Sequence, residues 1–377
     1  MHSRNVLVVI CSGFMGGAER SMLDCAAAMH DQAEFFIHVA CPPESAVHAE
    51  SRRRGLVTHG VHFPRFESAA SLPRLAAATA ATGRCARALR SLIRDLNIRL
   101  VHGNGIKSSL PAAVAARSLG RAFIYHVRDF PRRRLPNTAV ASIATVCIAP
   151  TQFIKNALPA AKSRCAVIAN GVDAPDPAPV RGAFRSAHNI RQDVPLVTMV
   201  AQLAPWKRHD LFIDAAAIAR HRHPEALFCI AGGDIGGMNT LYADTLRRRA
   251  SDAGLSDAIR FFGHYADIPA LLADSDAVVL PSDNEPFGRV VVEAWHCSAP
   301  VVVAGGSGPA ELVQDRVTGL VAEQGCAVSV ADAISRLLRD APLRDQIARA
   351  GKIQALQYTV AAHAKTVANL YRSLMDV

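Results

Sequence analysis

At 377 residues the chain is too long for one ordinary hydrophobic core, and two domains of about 150–200 residues are expected. Half its residues are hydrophobic and 20% are charged, which excludes a disordered chain, and no apolar run reaches the ~18 residues of a membrane span. The net charge of +10 fits either an anionic partner or plain solubilising charge, while aromatics at 6% without basic–aromatic interleaving argue against nucleic acid.

Apolar runs of strand length alternate with helix-length segments along the whole chain. In the first half they fall at residues 6–10, 35–40, 100–102, 122–126, 146–149 and 166–168. In the second they fall at 196–200, 227–231, 259–262, 277–280, 300–303 and 319–321. Such alternation predicts an α/β chain with parallel sheets covered on both faces. The first run is short and enters a Gly-rich turn, so it reads as a buried strand and not as a signal peptide. The Pro-rich stretch from Asp173 to Val180 breaks the pattern. It divides a domain over 1–174 from one over 190–356, with 175–189 as linker. The nine cysteines are scattered without a C-x-x-C pair and read as small core residues of a reduced, cytoplasmic protein. No metal site is expected.

The chemistry-bearing residues cluster just after predicted strands, where doubly wound sheets bind ligands. Gly13-Phe-Met-Gly16-Gly17-Ala-Glu19 is a strand-to-helix turn whose glycines let a ligand approach the backbone, with Glu19 read as a helix-terminus acid. Tyr125-His126-Val-Arg128-Asp129 ends another strand. His126 and Arg128 share a period-two face, His126 being the first candidate for contact with substrate and a packed structural histidine the alternative. In the second half, Gln202-Leu-Ala-Pro-Trp-Lys207-Arg208 places cations on a loop, where they can neutralise a diphosphate. Gly232-Gly233 and Gly263-His264-Tyr265 follow two further strands.

The most specific stretch is Leu280-Pro-Ser-Asp-Asn-Glu285-Pro-Phe287-Gly288-Arg-Val-Val-Val-Glu293. One carboxylate sits on a strand-to-helix loop and the second about one turn into the helix. Between them lies a helix N-terminus whose free N–H groups suit a phosphate. Carboxylates accept hydrogen bonds from paired hydroxyls, so the set suits a ribose and a hexose joined by a diphosphate. Three basic clusters stand apart from these loops: Arg52-Arg53-Arg54, Arg132-Arg133-Arg134 and Arg247-Arg248-Arg249. The third reads as a solvated helix face. The first two fit an anionic membrane or phosphate-bearing acceptor as well as they fit solubilising charge.

Through Glu285 to Glu293, and more loosely from Gly13 to Val321, the chain resembles the family 4 (group 1) retaining glycosyltransferases. That resemblance implies the GT-B fold: two Rossmann-like domains facing a cleft, with a C-terminal helix from about residue 357 returning to the N-terminal domain. It implies Glu285 on donor-sugar hydroxyls, Glu293 on the ribose, and backbone at Phe287 and Gly288 near sugar and diphosphate. Lys207 matches the family's diphosphate lysine, whereas Gln202 stands where the family has Arg, leaving Arg208 or Gln202 itself to compensate. Gly16 and Gly17 resemble the loop opposite the diphosphate, His126 the N-domain histidine, and Gly263 and His264 the base-reading backbone. The donor implied is a UDP- or GDP-linked sugar, with no tightly bound cofactor. The acceptor is a carbohydrate or a lipid-linked molecule, reached in the cytoplasm or from the inner membrane face. Two rivals remain open: a nucleotide-sugar 2-epimerase of the same fold, and a non-catalytic basic partner docked on a membrane. The glycine spacing is wrong for a nicotinamide dehydrogenase.

Overall fold

The computed structural model describes residues 4–32, 34–64, 72–132, 134–234 and 240–375. It contains two compact units, one of Met1–Gly171 with Val360–Val377, the other of Val172–Thr359. Every apolar run expected from sequence is a strand to within two residues.

The first unit is built on seven parallel strands in the order β3-β2-β1-β4-β5-β6-β7. These are β1 (Asn5–Val9), β2 (Phe36–Cys41), β3 (Val57–Gly60), β4 (Leu100–Asn104), β5 (Ala122–His126), β6 (Val146–Ala149) and β7 (Cys165–Val167). Strand β3 was not expected. Its four residues, Val-Thr-His-Gly, are partly exposed at the sheet edge and show no apolar run. In β1 the period of two splits the core: Leu7 and Val9 pack on one face, Val6 and Val8 on the other. The first face is covered by helices Leu72–Asp95, Ile106–Arg117 and Arg134–Ile143, through Leu89, Ala112 and Val140 among others. The second face is covered by Gly17–Asp31, Ala46–Arg53 and the returning helix Val360–Met375, which inserts Val367, Ala368 and Tyr371. Arg372 fixes that helix from outside by two 2.5 Å contacts to the Glu34 carboxylate.

The second unit has six parallel strands in the order β10-β9-β8-β11-β12-β13. They are β8 (Leu196–Val200), β9 (Leu227–Ala231), β10 (Ile259–Gly263), β11 (Ala277–Leu280), β12 (Val301–Ala304) and β13 (Leu320–Ala322). Part of the stretch read as linker folds into this unit: in the helix Ala183–Ala187, Phe184 is buried in its core and Arg185 binds Asp276 at 2.9 Å. The nine cysteines are free thiols, seven of them buried. Among the described residues no helix is long and apolar enough to cross a membrane.

The basic clusters are less available than their sequence suggests. Arg53 and Arg54 both bind Glu50, and Arg54 also binds Asp24; Arg52 and Arg53 are exposed, and among the described residues Arg52 is the member of the triplet outside an ion pair. Arg249 binds Asp214 and Arg247 binds Asp244. Arg132 is exposed; Arg133 and the Arg134 side chain lie outside the described residues.

Candidate active site

In the second unit, the loops after β8 and β11 bring the two best sequence candidates into contact. After β8 the chain makes a tight turn, Pro205–Lys207, and Arg208 adopts a left-handed conformation (φ 58°) before the helix His209–Arg222. After β11 it runs to Gly288 (φ 83°), which opens the helix Arg289–His296. Lys207 Nζ forms an ion pair with Glu285, both side chains being largely buried, and lies 4.2 Å from the Trp206 ring centroid. A largely desolvated ammonium and carboxylate in contact hold each other strongly until a ligand offers better partners.

Asp283 ties the two loops together. Its backbone N–H donates to the Trp206 carbonyl at 2.8 Å, and its carboxylate accepts from Arg208 at 3.1 Å. Asp210 accepts from the same guanidinium at 3.1 Å. Arg208 is therefore held by two carboxylates where Lys207 is held by one. In the sequence Asp283 has no chemical signature of its own beyond standing two residues before Glu285.

Small residues shape the rest of the site. The Gly308 N–H donates to the Glu285 carbonyl at 2.8 Å, and a Cβ at Gly308 would stand 2.2 Å from the Pro286 oxygen. Glu293 lies a turn into the helix, 3.6 Å from Arg289 and partly exposed. The Phe287 ring is buried against Tyr358, which leaves only its backbone to face the loop. Gly232 (φ 149°) sits against the β8 loop so closely that a Cβ would be 1.8 Å from the Ala201 oxygen. Gly233 accepts from the Leu203 N–H at 3.0 Å, and Gly263 accepts from the Gly232 N–H at 2.7 Å. Gln202, Gly232, Gly233, Gly263 and the exposed His264 thus belong to three interlocked loops at the carboxyl ends of β8, β9 and β10.

An Asp-x-Asp stretch, Asp274-Ser-Asp276, precedes β11 at its amino end, opposite the carboxyl-end loops. Its carboxylates are taken up by the Gly182 and Arg185 N–H groups, the Leu196 N–H and the Arg185 guanidinium. Among the described residues no cluster is arranged to hold a metal ion.

In the first unit Gly16 precedes the helix Gly17–Asp31, and its N–H donates to Glu19 Oε2 at 3.1 Å. Glu19 thus caps its own helix, and burial pushes its carboxyl above the usual range. Gly16 and Gly17 form the turn at the carboxyl end of β1. Of the two readings of His126, the structure favours the packed one. Its imidazole is fully buried: Nδ1 lies 3.1 Å from His102 Nε2, and His102 Nδ1 lies 2.6 Å from the Tyr371 hydroxyl of the returning helix. Burial, reinforced by the nearby Arg128 cation, holds both rings well below the usual histidine range. The ring is enclosed in this structure, which favours the packed structural histidine, the alternative reading of the sequence. Arg128, two residues on, donates to Asn104 and Asn170, each at 2.6 Å, and is also buried.

Comparison with known proteins adds an independent line. The profile of "Glycosyl transferases group 1" matches residues 180–354, and that of "Glycosyltransferase Family 4" matches residues 15–175. D-inositol 3-phosphate glycosyltransferase of Salinispora tropica is 31% identical over 221 residues, covering 55% of this chain and 46% of the relative. The GDP-mannose-dependent alpha-(1-6)-phosphatidylinositol monomannoside mannosyltransferase of Mycobacterium tuberculosis is 33% identical over 175 residues, 44% of this chain and 43% of the relative. In both cases the chain spans less than half of the relative's own length. The crystal structure of Anabaena Alr3699/HepE in complex with UDP and glucose aligns with a TM-score of 0.83 at 25% identity, covering 98% of this chain and 100% of that one.

Proposed function

Because the chain belongs to the group 1 glycosyl transferases of glycosyltransferase family 4, we propose that it is a retaining glycosyltransferase. It moves a hexose-type sugar from a UDP- or GDP-linked donor to an acceptor hydroxyl in cell-envelope polysaccharide or glycolipid synthesis. The observation that carries this reading is the Lys207–Glu285 pair, with Glu293 a turn into the following helix. The anomeric carbon–oxygen bond to the diphosphate breaks, and a bond to the acceptor oxygen forms on the same face. The acceptor proton passes to the departing phosphate oxygen. Lys207 moves from Glu285 to that diphosphate and stabilises its growing charge, while Glu285 takes the donor-sugar hydroxyls. The acceptor is lipid-linked, and the protein works peripherally on the inner face of an anionic membrane. The Anabaena complex holds UDP and glucose, and the mycobacterial relative is named for GDP-mannose; both support a nucleotide-sugar donor.

Glu293→Ala tests the donor site. Loss of the charged acceptor for the ribose hydroxyls is expected to weaken binding of UDP or GDP by about 1.5–3 kcal/mol, read by calorimetry. Unchanged affinity in a folded variant would remove Glu293 from the site. Asp283→Ala should lower turnover about 10-fold by releasing the two loops, with Asp283→Asn retaining most activity because its amide oxygen still accepts from Arg208. The loss should not add to that of Lys207→Ala in the double variant. Additive losses would mean that Asp283 acts elsewhere.

A further inference from the structure

The charge of this protein is divided unequally. The first unit carries 24 Lys and Arg against 10 Asp and Glu, a net of +14, whereas the second carries 18 against 22, a net of −4. Within the first unit the excess is concentrated again. The three helices on the Leu7/Val9 face of the sheet, Leu72–Asp95, Ile106–Arg117 and Arg134–Ile143, hold eight basic residues and one acid, Asp95. The helices on the other face are mixed in sign: Glu19, Asp24, Asp31 and Glu50 offset Arg20, Arg52, Arg53, Lys365 and Arg372.

Geometry makes the basic helices into one surface. On Leu72–Asp95, Cys85, Leu89 and Ile93 face the core, and the helical period then turns Arg84, Arg87, Arg90 and Arg94 outward, where all four are exposed. Asp95 occupies only Arg94, at 2.9 Å. The neighbouring helices add large apolar side chains turned to solvent: Val114 (51% exposed), Leu135 (85%) and Ile143 (39%). Packed helices that carry arginines with few acids, interspersed with exposed aliphatic groups, match an interface of anionic headgroups over acyl chains. The cations meet the phosphates and the aliphatic groups enter the boundary. A nucleic-acid surface would instead call for stacking aromatics, and these three helices contain none.

We propose that this helical layer, and not the Arg52-Arg53-Arg54 triplet on the opposite face, docks the protein on an anionic lipid surface. The inference rests on the reading of a lipid-linked acceptor, and it names the surface by which the protein reaches it.

Sedimentation with vesicles of phosphatidylglycerol and phosphatidylcholine, against phosphatidylcholine alone, tests it. Wild type should bind the anionic vesicles at low salt and release them as salt rises. Arg84→Gln/Arg87→Gln/Arg90→Gln should bind them on the order of 100-fold more weakly, three cations near the surface each being worth several-fold. Arg52→Gln/Arg53→Gln should bind as wild type does. Leu135→Ser, which removes an exposed apolar group and no charge, should weaken binding several-fold without altering the salt slope. The proposal is overturned if wild type ignores anionic vesicles, if the Arg52/Arg53 variant is the one that loses binding, or if heparin binds while vesicles do not. UDP and GDP binding, measured on the same samples, keeps the two readings separable: lost docking with intact nucleotide binding concerns this surface alone. Absence of nucleotide binding in wild type would strike the glycosyltransferase reading instead.

Discussion

Lys207→Ala is expected to lower turnover at saturating donor by roughly 100-fold or more, because the ammonium acts on charge that grows as the diphosphate departs. Neighbouring groups cannot cover the loss. Arg208 is anchored by Asp210 and Asp283, and Gln202, standing in the family's Arg position, brings a neutral dipole. A companion variant exposes the ion pair itself. Glu285→Gln removes the carboxylate that holds Lys207 in the free protein, so bare UDP or GDP should bind at least as tightly as to wild type while turnover falls. Turnover of Lys207→Ala within a few-fold of wild type would transfer the role to another group. Weaker nucleotide binding by Glu285→Gln would show that the pair supports the diphosphate site and does not compete with it.

Much of this arrangement could be read before the coordinates, and the failures share a physical cause. Strand runs such as 277–280 and 301–303 are apolar throughout because both sheet faces are covered, so composition alone reveals them. The placement of Glu285, Gly288 and Glu293 was legible because their relation is local: a strand end, a turn and one helical turn. Strand β3 escaped because an edge strand of four residues has too little buried face to impose a pattern.

Errors arose where the deciding partner lies far along the chain. Period two put His126 and Arg128 on one side of the chain at the end of β5, but the His126 side is closed by a helix more than two hundred residues later, whose Tyr371 meets His102. The Arg52-Arg53-Arg54 triplet looked free, yet Glu50, three and four residues back, and the distant Asp24 neutralise two of its members. The basic stripe on Leu72–Asp95 went unnoticed for the converse reason. Its arginines are spaced at helical intervals, so no run of like charge appears in the sequence.

Acid is expected to destabilise the first unit well before its ion-paired carboxylates titrate. His102 and His126 are enclosed by β4, β5 and the returning helix. They face each other, Tyr371 and His363 of that helix and Arg128 beyond β5, with Cys25 of the helix Gly17–Asp31 beside Tyr371. Burial first, and then the Arg128 cation, holds both rings neutral in the folded protein. The unfolded chain takes up their protons below about pH 6.5, so it binds more protons than the fold and stability falls as pH falls. Each such ring costs about 1.4 kcal/mol per pH unit below that point, so the pair costs nearly 3 kcal/mol per unit against a typical total of 5–15. The depressed carboxylates act later: Glu50, held down to about 2 by Arg53 and Arg54, loses its contribution only as pH falls below the ordinary carboxylate range. Chemical denaturation between pH 7.5 and 5 therefore reports mainly on histidine. In His126→Gln, whose amide can still bond to His102, the slope of stability against pH should be smaller by about 1.4 kcal/mol per unit. An unchanged slope would mean that His126 is not the residue that keeps its neutral form at the expense of acid stability. A wild-type stability flat across this range would remove the whole cluster from that role.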